Sequence, residues 1–396
     1  MKNIKSDYIF NIIWLYFCIY FLNFLNISNT FVLLIGAGLC VGMVIQQKIL
    51  RIDLGLCLLT ITLASYYVIV NGLSGITYAI LYIPLIIYEL ANYTVCYLKK
   101  DKGINKKIVL LLWALVLGFA IYGILNSYMY YAGYVVPGTR RWEDFWSHEI
   151  VPGTQHTVYF LPMLAIFFPT IVVVKEIKWK STIVILLTLF FCYTSLVTKS
   201  RMPLLIFALT IFVQGILYAV LEWQTVKKLF GAKRTWIVTG SLILAVVAAS
   251  FAVKDTKIVT IFIANMGKDG GILNNVRFVA QRQAISQLLD YPMGGRQMDM
   301  ILGNYCHNTW LDMANAAGLI PFFAFVVYTL YTIYELLCLT KKEWISTEVK
   351  LIIVGIYLSF FLYFCVEPAL DASIHYLTPW IFLNGMVYAI NSKKEM

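Results

Sequence analysis

The sequence predicts an all-α, polytopic membrane bundle of about twelve transmembrane helices. Three observations lead there. The 396 residues are 61% hydrophobic and 13% charged, with a mean hydropathy of +0.78; a soluble domain runs at about 45–50% and about 25%. The apolar excess falls in repeated runs, many close to the roughly 20 residues that span a bilayer. Finally, the connections between runs alternate between lysine-rich and lysine-poor.

The first run, 8–25, follows MKNIKSD and resembles a signal peptide. No small-residue cleavage site follows Leu25 and the next run starts almost at once, so it reads as a retained first helix. Further runs occupy 30–46, 54–71, 75–97, 108–128, 157–174, 182–198, 203–221, 235–253, 309–337, 350–366 and 374–391. The whole chain, 1–396, reads as one integral membrane domain with two larger loops on one side, 129–156 and 254–308, the second carrying the candidate site.

Of 23 lysines, only Lys199, Lys254, Lys257 and Lys268 fall on the side of those two loops. By the positive-inside bias that side is outside and both termini are cytoplasmic. The same bias accounts for the net charge of +11 without a nucleic-acid partner. Eight cysteines lie scattered with no CxxC; Cys306 and Cys365 fall near the outer face, with their pairing left open. A Walker loop is absent, as is an acidic pair on a cytoplasmic loop to hold a sugar-nucleotide metal.

Arginine reverses the lysine pattern. Arg140, Arg141, Arg201, Arg277, Arg282 and Arg296 are outside, as are His148, His156, His307 and His375. The guanidinium fork matches phosphate oxygens bidentately, so outer arginines without lysines point to an anionic, phosphate-bearing ligand. In the longer loop Val276, Ala280, Ala284 and Leu288 recur every four residues, as on one face of a helix that Pro292, Gly294 and Gly295 end. Thr309 and Asp312 have capping-box spacing, which puts His307 and Asn308 at a helix N-terminus that favours anions. Arg141 and Gly153 bracket eleven residues, as do Arg282 and Gly294, and Trp142 and Trp146 are candidates for stacking on sugar rings. Glu143, Asp144, Glu149, Glu367 and Asp371 are outer carboxylates among which the sequence does not choose a base. Glu89 and Glu335 fall inside spans, where a carboxylate is a functional candidate; a structural role for Glu89 is the favoured reading.

These motifs resemble the O-antigen ligase/polymerase family of bacterial membranes. The likeness rests on Arg277 lying 15 positions before Pro292, on HNTWLDMANAAGLI with Leu311 and Gly318, and on Ser200-Arg201 within TKSRMPLL. It covers about 180–330 well, and departs where Gln281 takes a usually aromatic position and Pro321 a frequent glycine. It implies an enzyme of the bacterial cytoplasmic membrane acting at the outer face on polyprenyl-diphosphate-linked glycan donor and acceptor. Arg201 and Arg277 would bind the diphosphate and His307 would orient or deprotonate the acceptor hydroxyl. Arg282, Arg296, Arg140, Arg141 and Asn308 would bind substrate, with no metal and no cofactor. A chain-length regulator and a flippase of the same pathway are the implied partners. A polymerase leads; a ligase moving finished glycan to an acceptor shares every motif. A flippase would need repeat-related halves that the sequence lacks. A non-catalytic envelope partner is a third class.

Overall fold

The structure, a computed structural model, describes residues 2–26, 30–73, 75–99, 101–173, 178–231 and 275–392. They are mostly helical, and eight of the described helices are long and apolar enough to cross a membrane. The long helices begin α1 (Lys2–Phe21), α2 (Thr30–Gln47), α3 (Leu54–Asn71), α4 (Gly75–Leu98) and α5 (Ile104–Tyr131). A hairpin of β1 (Arg141–Glu143) and β2 (Ile150–Pro152) leads into a broken segment, α6 (Gly153–His156), a 3-10 turn (Thr157–Phe160), α7 (Leu161–Ala165) and α8 (Phe167–Val172). Then come α9 (Lys178–Val197), α10 (Met202–Leu221), α11 (Trp223–Gly231), α12 (Val276–Ser286), α13 (Thr309–Ala317), α14 (Leu319–Thr340), α15 (Thr347–Phe364), α16 (Ala369–Ala372) and α17 (Ile374–Asn391). The expected span 235–253, with Lys254, Lys257 and Lys268, lies outside the described residues.

Pairs distant in sequence form the bundle: α17 lies along α4, α14 along α3, α5 along α1 and α10 along α15. Besides ties within the bundle, polar contacts gather at two ends. At the lysine-rich end Lys107 bridges Asp7 and Asp101, both at 2.6 Å, Lys99 donates to the Ser392 carbonyl, and Asn391 donates to Glu335 Oε2. At the opposite end Tyr122 joins Asn23 to Asp144, and Arg277 reaches Glu367. Among the described residues the lysine-rich connections at 99–107 and 341–347 thus gather at one end of the bundle and the hairpin and α12–α13 at the other.

Two expected spans are not single helices. Within 157–174, Pro162 and Pro169 carry no N–H, so the carbonyls four residues earlier, Val158 and Ala165, lose their helical donors. The Leu161 N–H bonds Val158 in a 3-10 turn instead, and the buried Gln214 of α10 donates Nε2 to the Ala165 oxygen at 2.8 Å. The same amide donates to Leu351 of α15 at 2.9 Å, an approach open only because Gly355 has no side chain there. Within 309–337 the helix breaks at Gly318, whose φ of +85° suits glycine and whose absent Cβ lets the Pro292 carbonyl reach the Leu319 N–H at 2.9 Å.

A near-isosteric Gln214→Met leaves a buried carbonyl with no donor, an expected cost of about 1–3 kcal/mol, read as a lowered unfolding midpoint in detergent. An unchanged midpoint would mean the break is held by something else.

Candidate functional site

The first wall of the site is the hairpin. The Trp142 indole turns inward, 1% exposed, donating Nε1 to the Asn126 carbonyl and stacking on the His156 ring at 4.4 Å. His156 in turn donates Nε2 to the Trp142 carbonyl at 3.1 Å. Gly153 sits where a Cβ would strike that indole, and its N–H binds the Arg140 carbonyl. Alternation along β1 then turns Arg141, exposed, away from buried Trp142. The loop is anchored by buried Asp144, which accepts from Tyr122 Oη at 2.6 Å and from the backbone N–H groups of Trp146 and Ser147.

The second wall is the α9–α10 junction. Ser200 bonds Thr157 across it, and Lys199, in the left-handed region with φ +57°, accepts from Arg140 Nη1 through its carbonyl. Arg201 stands at the N-cap position of α10, whose first turn carries Pro203. Along the third wall Asn275 caps α12 by accepting from the Arg277 N–H, and the Arg277 side chain reaches the cavity from the helix's first turn.

Together they enclose a cavity of about 710 Å³ lined by Arg140, Arg141, Lys199, Arg201 and Arg277, with hydroxyls from Thr139, Thr154, Thr198 and Ser200. No carboxylate lines it among the described residues. Such a concentration of guanidinium groups beside hydroxyl donors suits a multiply charged oxyanion.

Behind Arg277 lies Glu367, just after α15 and 2% exposed. Arg277 Nη1 binds its Oε1 at 2.7 Å and the Val366 carbonyl at 2.8 Å, while His307 Nδ1 faces Oε2 at 3.5 Å. Burial pushes the Glu367 carboxyl up, but the neighbouring His307 and the Arg277 guanidinium more than offset this and hold it below the ordinary range. At the 3.5 Å between His307 Nδ1 and Oε2 no hydrogen bond forms, and the carboxylate favours a proton on Nδ1 over Nε2 through its charge alone. His307 itself has φ +53°, a conformation costing about 1–2 kcal/mol that its neighbours impose. Gln281 donates to the His307 carbonyl at 3.1 Å and to Cys365 at 3.0 Å, and Asp312 accepts from the N–H groups of Cys306 and Asn308.

The expected residues therefore divide. Arg140, Arg141, Arg201 and Arg277 share the cavity, and His307 adjoins it through Glu367. Arg282 stands exposed on α12, and Arg296 lies over the Tyr305 ring at 5.4 Å; neither lines the cavity. Asn308, not Thr309, caps α13, accepting from the Leu311 N–H and donating to Cys365; Thr309 instead donates to the Glu367 carbonyl. The capping-box assignment is corrected by one residue, because Asp312 pairs with N–H groups before the helix. The two eleven-residue brackets are not equivalent: Gly153 closes a hairpin, whereas Gly294, φ +74°, packs against Gly318. Trp142 is unavailable to a sugar, and Trp146 is half-buried against Phe24. Of the histidines outside this site, His148 is exposed, while His156 and His375 are buried, the latter stacked on Phe119. Cys306 and Cys365 are free thiols. Glu367 had no local signal, lying 60 positions beyond His307. Among the described residues no group of three His, Cys, Asp or Glu is placed to hold a metal ion.

No family model matches the chain and no curated protein matches it, so the functional argument rests on this geometry.

Because the folded Glu367 carboxyl titrates below its ordinary 4.5, its pairing contributes in full above that pH and is lost as the pH falls below it. Glu367→Gln should cost about 1–3 kcal/mol near neutrality and show a shallower loss of melting temperature below pH 4.5 than wild type. Parallel acid limbs would remove Glu367 as the ionised partner.

Proposed function

We propose that the chain is a glycosyltransferase that polymerises polyprenyl-diphosphate-linked oligosaccharide repeat units at the outer face of the bacterial cytoplasmic membrane. The observation that carries this is the lysine-poor end's arginine-lined cavity, with a histidine facing a buried carboxylate behind one of its arginines. In this reading the lysine-rich end is cytoplasmic, as are both termini. The span count is twelve, with α1, α2, α17 and 235–253 added to the eight longer apolar helices.

The donor diphosphate binds among Arg201, Arg277, Arg140 and Arg141. His307 Nε2 takes the proton of an acceptor sugar hydroxyl as its oxygen bonds to the donor's anomeric carbon. The bond from that carbon to the diphosphate oxygen breaks, and polyprenyl diphosphate leaves with its charge matched by the guanidinium groups. Glu367 stabilises the imidazolium that forms, and the proton later passes to water. A flippase supplies the lipid-linked unit and a chain-length regulator limits the product.

The test is glycan length in cells whose native copy is replaced by wild type, Arg277→Ala or His307→Ala at matched membrane levels. Loss of a charge-stabilising donor costs about 10²–10³ in rate and loss of a general base about 10²–10⁴. Both variants should therefore leave single repeat units where wild type makes long chains. Long chains retained on the lipid carrier after deletion would make the chain a ligase, and wild-type chains from both variants would remove the site.

A further inference from the structure

The cavity end carries an apolar surface that the catalytic reading does not use. From the last turn of α12 onward the chain exposes Ile285, Leu289, Met293 and Ile301, with Leu289 and Met293 at 77% and 73%. They belong to an ordered unit rather than a loose loop. Gln287 exchanges hydrogen bonds with the Asp299 backbone in both directions, and Gln283 accepts from the Ile301 N–H at 2.9 Å. Beneath them Ala280, Ala284, Met298, Met300, Cys306 and Leu311 form a small core of their own. That unit has apolar side chains to bury inside, yet turns four large ones outward.

What lies beside them identifies the partner. Pro292 and Met293 touch Gly318, the residue from which α14 starts. From there Ile320, Phe323, Val327 and Leu330 are exposed at spacings of three and four, the stripe of a helix whose outward face meets hydrocarbon. Met293, itself exposed, has its backbone against Gly318, where that helix begins. Arg282, exposed one turn before Ile285, adds a cation at the edge, while exposed Asp290 and Asp299 cap the depth to which the surface can sink.

We propose that residues 285–301 form a membrane-dipping platform whose partner is the bilayer interface at the cavity end, with Ile285, Leu289, Met293 and Ile301 among the acyl-chain ends and Arg282 at the headgroup phosphates. This places His307 at headgroup depth: Gln281 of the same unit holds its carbonyl, and α13, which follows it, ends on Gly318. The inference stands whether or not the chain is a glycosyltransferase, since it concerns where the unit sits and not what it transforms.

The test uses full-length protein in liposomes, on a Cys57→Ser parent that removes the exposed native thiol and whose residual labelling is subtracted. Leu289→Cys and Met293→Cys each receive an environment-sensitive fluorophore, with Phe323→Cys as the lipid reference and His148→Cys as the water reference. Platform labels should emit blue-shifted light, lose emission to lipids carrying a nitroxide near the headgroup, and resist aqueous iodide. Iodide quenching at both sites with no effect of nitroxide lipid would overturn the proposal and leave the surface in water. Protection from both quenchers would overturn it too, since protein, a second copy or residues 232–274, would then cover the surface. All four side chains replaced by label are exposed, so wild-type melting temperatures are expected and each variant reports on a folded protein.

Discussion

A carboxylate withdrawn from water costs several kcal/mol unless its charge is met nearby, and Glu367 is met twice, by Arg277 and by the ring of His307. That requirement ties together parts of the chain that are far apart. Arg277 comes from the first turn of α12, His307 from the strained turn before α13, and Glu367 from the end of α15, whose own carbonyl receives Thr309. Without the carboxylate, the Arg277 guanidinium would lose its buried partner and the His307 ring the charge it faces. With it, one guanidinium edge is committed to structure while Arg277 still lines the cavity, and the imidazole is held in one orientation.

Support extends outward in layers. Gln281 and Asp312 fix the backbone on either side of His307, which keeps a non-glycine residue at positive φ. Across the cavity the same result is reached differently: Trp142 and His156 stack, Gly153 makes room for them, and the arginine beside the tryptophan is displayed by strand alternation. Both walls spend their large aromatic and amide groups on holding position, which leaves the guanidinium groups to face the cavity.

Much of this was legible. Apolar runs marked the helices because crossing a bilayer demands length, and the contrast between lysine and arginine pointed to the end where four arginines share a cavity. The misses share a physical cause, which is dependence on a partner far along the chain. Pro169 announces a lost hydrogen bond, but only the fold supplies Gln214 to replace it. Trp142 reads as a candidate for stacking on sugar because nothing local reveals Asn126 and His156 beneath it. The cap moved from Thr309 to Asn308 because Thr309 was claimed by Glu367. Glu367 itself was one of five outer carboxylates until packing brought it between Arg277 and His307.

The contact of Gly318 with Gly294 and Pro292 is made of backbone alone. Side chains absorb small displacements by changing rotamer; peptide groups pressed together have no such slack. A transmembrane helix whose apolar length does not match the bilayer tilts to fit it. For α14 such a tilt would arrive undamped at Gly318, pass into α13 and the 292–296 turn, and from there reach the turn that holds His307. Any tilt of α14 would therefore meet backbone on both sides at Gly318, a junction that the membrane-length helix shares with the loop bearing His307.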